Sequence, residues 1–209
     1  MKKKQGYLLI VEDDPDILAL LDTTLEFKGY RVATANNGKQ ALEIVQRELP
    51  VLVIADIMMP QLDGFGLVHR LRINPDTRMI PVIFITATYV AEEDRAFALR
   101  IGATRFIQKP IALDNFLKVV NELMEQGPFT IPEPLDEFKF YDGYRERLQA
   151  KLDEKVIQIA RDKHLLKNRS GVEEQDLQAS LWHAQREQQE LQTLLDEIHK
   201  QLDRIGGVD

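Results

Sequence analysis

The sequence predicts a five-stranded, doubly wound parallel α/β sheet followed by an all-α helical hairpin or coiled coil. Three observations carry that expectation. Up to about residue 126, short apolar runs alternate with amphipathic stretches. Strand signals then stop at G-P-F-T-I-P-E-P (127–134), where three prolines in eight residues cannot continue a helix. Beyond that break the apolar residues fall into heptad spacing. The chain therefore reads as a first domain over 1–126, a linker over 127–134 and a helical extension over 135–209.

The first domain is built from five apolar runs: Leu8–Val11, Arg31–Ala35, Val51–Ala55, Val82–Ile85 and Arg105–Ile107. The middle ones are rich in Val and Ile, as buried strands are. Helical stretches lie between and after them, near 15–28, 38–48, 64–73, 92–101 and 112–126. Pro15 suits the first turn of the first helix, Asp14 suits its cap, and Gly29 suits its end. Strands alternating with helices call for a parallel sheet covered on both faces, with its chemistry at the carboxyl ends of the strands.

In the extension, Leu177, Leu181, Ala184, Gln188, Leu191, Leu195, Ile198, Leu202 and Ile205 step by four and three in turn. That is a heptad seam with Gln188 as its polar intruder. An earlier helix carries Leu148, Leu152, Val156, Ile159 and Leu166. Between them K-N-R-S-G (167–171) reads as a turn, and Ser170 with Glu173 makes a capping box that starts the second helix afresh. An antiparallel hairpin is favoured over one continuous rod. The seam alone leaves an intramolecular hairpin and an intermolecular coiled coil both open.

Composition narrows the function classes. Of the net charge of −7, residues 128–209 carry −5, from 12 basic and 17 acidic side chains. Neither half offers the basic footprint of a nucleic-acid binder. No apolar run approaches the length of a membrane span, so no membrane insertion is expected. The absence of cysteine excludes disulfides and thiolate metal sites, and with no visible signal peptide a cytoplasmic location is expected.

The chemistry gathers at the predicted carboxyl edge of the sheet. Glu12, Asp13 and Asp14 follow the first strand, Asp56 ends the third, Thr86 ends the fourth and Lys109 follows the fifth. Each alone is ordinary: a strand-end Asp is usually a cap, a Lys-Pro usually a loop, a strand Thr usually β-propensity. Together they line one shallow pocket. Its close carboxylates form a hard-oxygen site suited to Mg²⁺. A carboxylate beside Mg²⁺ is a competent nucleophile toward a phosphoryl group, with Lys109 and the Thr86 hydroxyl placed to hold phosphoryl oxygens.

On these residues the chain resembles the receiver domain of two-component response regulators, a flavodoxin-like fold, over residues 6–126. The matching pieces are LLIVEDDPD (8–16), DIMMPQLDGF (56–65), PVIFITA (81–87) and FIQKP (106–110). The resemblance implies that Asp56 is the phosphoacceptor. It implies Mg²⁺ held by Asp13, Asp56 and the backbone carbonyl of Met58, with Glu12 assisting through water. It implies that Lys109 contacts the phosphoryl group, that Lys109–Pro110 is cis, and that Thr86 and Phe106 form the switch. The implied partner is a sensor histidine kinase or phosphotransfer protein, and the receiver would catalyse only its own phosphorylation and dephosphorylation. Met58 and Thr88 are expected to flank the route of hydrolytic water and tune phosphate lifetime. One departure matters: A-T-R-F (103–106) and Ile111 replace the charges and aromatic that pair regulators with winged-helix outputs, which argues against that dimer.

The extension lacks a recognition helix, so a DNA-binding output is not expected. F-Y-D-G-Y-R-E-R-L (140–148) resembles the connectors that join receivers to downstream modules. The extension is expected to form a homodimer or dock on a protein partner, with Trp182 and His183 beside the seam as candidate contact residues. The rival reading is phosphotransfer by the extension itself, since H-L-L-K-N (164–168) faintly echoes the motif around a phosphotransfer histidine, with His164 in the histidine's place.

Overall fold

A computed structural model describes residues 6–87, 91–125, 130–166 and 172–206. Five parallel strands, β1 (Leu8–Val11), β2 (Val32–Ala35), β3 (Leu52–Asp56), β4 (Val82–Thr86) and β5 (Arg105–Gln108), form one sheet in the order β2-β1-β3-β4-β5. Between and after them run α1 (Pro15–Phe27), α2 (Gly38–Arg47), α3 (Gly64–Ile73), α4 (Glu92–Arg100) and α5 (Leu113–Glu125). Two long helices follow, α6 (Glu137–Leu166) and α7 (Val172–Gly206). The doubly wound sheet and the helical extension both stand as the sequence indicates. None of the described helices is long and apolar enough to cross a membrane.

Parallel pairing with helices on both faces explains why every residue of β1, β3 and β4 is buried. Alternate residues face opposite sides. Leu8, Ile10, Leu52, Ile54, Ile83 and Ile85 join Leu21 and Leu25 of α1 and Phe116, Val120 and Leu123 of α5 in one core. On the other face Phe84 meets the ring of Phe65 from α3 edge-on at 5.6 Å, and Phe65 meets Phe97 of α4 at 5.2 Å.

The helix ends follow their sequence signals. Asp14 caps α1: its Oδ1 accepts from the backbone N–H groups of Asp16 (2.9 Å) and Ile17 (3.2 Å). At the other end Gly29 takes φ 81°. Its N–H donates to Glu26 O at 2.8 Å, while the Tyr30 N–H reaches Leu25 O at 3.1 Å. This paired closure satisfies the last carbonyls, and only glycine adopts it without steric cost.

α3 is less ordinary than its sequence suggests, with seven of its ten residues buried: Gly64, Phe65, Leu67, Val68, His69, Leu71 and Arg72. Arg72 is wholly enclosed, and its guanidinium finds backbone oxygens. Nε and Nη2 donate to Gly102 O at 3.1 and 2.7 Å, and Nη1 donates to Arg78 O at 3.0 Å. Burial pushes its pKa down to about 10, which still leaves it charged at neutral pH. Arg72 thereby ties α3 to the loop before β4 and to the turn after α4.

The chain divides into two compact units, Met1–Leu135 and Asp136–Asp209. In the second, α6 and α7 form an antiparallel hairpin. The Ser180 hydroxyl donates to Asp162 Oδ2 at 3.2 Å, and Lys155 pairs with Glu187, so register rises on one helix as it falls on the other. The heptad seam is the hairpin's inner face: Ala184, Leu191, Leu195 and Ile198 are buried and the rest half-buried, Gln188 included. The turn expected at 167–171, with Ser170 of the capping box, lies outside the described residues.

Two substitutions separate the local from the tertiary contributions. Asp14→Ala should cost about 1 kcal/mol, the usual value of a lost cap. Arg72→Met keeps volume but strips partners from buried carbonyls, and should cost about 2 kcal/mol or more. Urea denaturation of both variants checks the order; equal losses would contradict it.

Candidate functional site

Parallel register brings the site together. Val11 lies opposite Ala55, so the next residues, Glu12 and Asp56, are neighbours across β1 and β3. Thr86 lies opposite Gln108, which sets Lys109 just beyond the end of β4. Lys109 N–H donates to Thr86 O at 2.9 Å, and Lys109–Pro110 is cis. Four strand ends thus converge on one edge.

The closest contacts belong to Lys109. Its Nζ stands 2.6 Å from Asp56 Oδ2 and 3.0 Å from the Glu12 carboxylate. The other Asp56 oxygen, Oδ1, accepts from the N–H of Ile57 at 2.6 Å and, at 3.4 Å, lies near that of Met58. Asp56 is therefore oriented from both sides. The loop carrying those amides is pressed against α3: Gly64 N–H donates to Ile57 O at 2.8 Å, and a Cβ at Gly64 would meet Asp56 O at 2.3 Å. Only glycine permits that approach. Asp63 closes the turn by capping α3, its Oδ1 accepting from Gly66 N–H at 2.7 Å.

Glu12, Asp13 and Asp56 offer carboxylate oxygens that all lie within 4.8 Å of one another. The electrostatic consequence is plain at Glu12, which is only 2% exposed. Burial, and then the Asp56 charge, raise its pKa to about 7, against the opposing pull of Lys109. Asp13 is more exposed and is raised by burial and by Asp56. Burial alone would depress Lys109, but Asp56 and Glu12 outweigh it and raise its pKa. A single ammonium does not neutralise three carboxylates. The set is all hard oxygen with excess negative charge, which fits a divalent cation such as Mg²⁺.

The other expected residues are placed as follows. Thr86 is fully buried (0% exposed) at the end of β4. Phe106 is half-buried on β5, opposite Phe84. Met58 is half-buried in the loop after Asp56. Thr88 lies outside the described residues. His164 sits exposed near the end of α6, in the second unit, and Trp182 is 58% exposed on α7. Asp14, third of the acidic run, caps α1 as already described. What the sequence leaves unread is the dual grip of Lys109 and the pair of amides on Asp56, both of which depend on register.

A parallel five-stranded sheet with an acidic pocket, a lysine and a threonine at its carboxyl edge defines a class, and the comparisons agree with it. The family model described as "Response regulator receiver domain" matches residues 8–121, over half of the chain, and the chain belongs to that family. An uncharacterised 14.6 kDa protein from the sodA1 3′ region of Leptolyngbya boryana is 42% identical over 115 residues, covering 55% of this chain and 87% of that one. The response regulator SaeR of Staphylococcus aureus is 31% identical over 134 residues, 64% of this chain and 57% of its own length. Among solved structures, the signal receiver domain of a signal transduction histidine kinase from Syntrophus aciditrophicus aligns with a TM-score of 0.53 and 33% identity. It covers 60% of this chain and 97% of its own. The chain thus carries the response regulator receiver domain of two-component signalling. Such domains bind Mg²⁺ at an acidic pocket and interact with histidine kinases or phosphotransfer proteins.

The raised carboxyl predicts how stability varies with pH. Glu12 ionises in the unfolded chain near its ordinary value of 4.5 and in the folded, metal-free chain only near about 7. Its contribution to stability is therefore full below the first value and lost as pH climbs through the second. Urea midpoints of the metal-free protein, taken as the difference from Glu12→Gln, should fall across that window. Saturating Mg²⁺ should remove the fall. A difference that is flat or rises with pH would contradict the assignment.

Proposed function

We propose that Asp56 accepts a phosphoryl group from a histidine kinase or phosphotransfer protein, and that the helical hairpin transmits the resulting change by pairing or docking. The observation that carries this reading is the orientation of Asp56: one oxygen held by backbone amides, the other on the Lys109 ammonium.

A carboxylate oxygen of Asp56 attacks phosphorus, a P–O bond to the protein forms, and the bond to the donor breaks with its electron pair leaving on the donor. Lys109 sits where it can follow the charge from the Asp56 oxygen to the incoming phosphoryl oxygens, as a mobile point charge does. The Thr86 hydroxyl supplies a hydrogen bond to a further oxygen once it turns toward the group. Glu12, Asp13, Asp56 and the Met58 carbonyl would hold Mg²⁺, which when bound neutralises carboxylate and phosphoryl oxygens alike. The protein acts on no other substrate in this reading; it promotes its own phosphorylation and loss of phosphate.

Phosphorylation adds charge and three acceptor oxygens at one point, so Lys109 and Thr86 re-pair, and Phe106 follows into the space that Thr86 leaves. For the extension, the hairpin buries its own seam, so its outer faces are what remains for a second copy or a partner. Among the described residues, Trp182 and Ile157 are the large apolar side chains it exposes most.

Acetyl phosphate with Mg²⁺ should label the protein, and Asp56→Asn should take up no label. Asp13→Ala should lower Mg²⁺ affinity and labelling rate by at least about tenfold. Label retained by Asp56→Asn would move the acceptor elsewhere and overturn the reading.

A further inference from the structure

We infer that α3 is the element through which the state of Asp56 reaches the helical extension, with His69 as the latch. His69 is buried, 5% exposed, on a helix whose other partly open positions, Gly66, Arg70 and Ile73, lie along one narrow arc. Its Nε2 stands 3.2 Å from the backbone carbonyl of Leu135. A carbonyl only accepts, so Nε2 carries the proton and donates. The contact joins positions 66 residues apart, and Leu135 is the last residue of the first unit.

The segment it holds has no regular structure over 130–136, yet Ile131, Pro134 and Leu135 are half-buried. An irregular strand of backbone kept against a domain needs its polar groups met, and His69 meets one of them. The next residue, Asp136, starts α6: its Oδ1 accepts from Lys139 N–H at 2.8 Å, and its carbonyl accepts from Phe140 N–H at 3.0 Å. The latch therefore sits one residue before the cap of the extension's first helix.

The first turn of α3 touches the acidic pocket. Gly64, its first residue, is bonded to the Ile57 carbonyl and pressed on the carbonyl of Asp56, whose side chain the Ile57 amide orients. A shift of the Asp56–Ile57 backbone is thus delivered to the start of α3. His69 lies five residues further along, on a helix clamped at its end by Arg72. Six residues of helix, Gly64 to His69, thus join the loop that carries Asp56 to the point where the extension begins. The coupling half of this inference rests on Asp56 being the phosphoacceptor; the latch does not.

Amide hydrogen exchange of the full chain tests both halves. In the resting protein His69→Phe, which fills the site without a donor, should speed exchange across residues 131–139 about tenfold. Amides of β1 and β3 should be spared. His69→Gln, which keeps a donor, should stay closer to the parent. Unchanged exchange in His69→Phe, or acceleration spread equally over the sheet, overturns the latch. Beryllofluoride with Mg²⁺ should then alter exchange at 131–139 in the parent but not in His69→Phe. If it alters amides around Asp56 and Thr86 and leaves 131–139 untouched, the α3 route fails while the phosphoacceptor stands. If it alters nothing anywhere, the phosphoacceptor reading fails and takes the coupling with it, and the resting comparison still decides the latch.

Discussion

The site depends on an excess of negative charge gathered at one edge of the sheet. Parallel register sets Glu12 beside Asp56 at adjoining strand ends, and Asp13 adds a third carboxylate within 4.8 Å. Repulsion of this kind is relieved by a nearby positive charge or by protonation of one carboxyl. Lys109 answers part of it, bridging Glu12 and Asp56 at 3.0 and 2.6 Å. The remainder surfaces as the raised pKa of Glu12 and as the suitability of the pocket for a divalent cation. A site in this condition stores responsiveness, since any cation or phosphoryl group that arrives changes the balance among all four side chains.

What surrounds the pocket holds it in that state. The amides of Ile57 and Met58 fix Asp56, and the loop that bears them is pinned by the close approach of Gly64. The acidic run divides its labour by geometry: Glu12 is buried, Asp13 faces outward, and Asp14 turns to cap α1. Lysine at position 109 suits the task, because a flexible point charge can serve two carboxylates at once and shift between them.

Much of this is legible in the sequence. Apolar runs of three to five residues mark the strands, the Asp14–Pro15 and Gly29 signals mark the ends of α1, and the steps of four and three mark the inner face of α7. Each is a local pattern, readable within one or two turns of chain. The acid, threonine and lysine are legible as a set because strand order in a doubly wound sheet is nearly fixed by the alternation itself. Arg72 and His69 are not. H-R-L-R (69–72) reads like the solvated side of a helix, and only Gly102, Arg78 and Leu135, brought in from elsewhere in the chain, turn two of its residues inward. The heptad seam says which residues pack and not against what, and it is the turn signal at 167–171 that favours the antiparallel hairpin. The Asp162–Ser180 and Lys155–Glu187 pairs show that direction.

Glu12, Asp13, Asp56 and Lys109 form one coupled charge site whose excess negative charge suits a divalent cation. Calorimetric titration with Mg²⁺ near pH 6, in buffers of different ionisation enthalpy, tests it most directly. Saturable binding at a single site with release of protons is expected, because Glu12 must ionise as the cation enters. Binding that does not saturate, or that saturates without proton release, would contradict this.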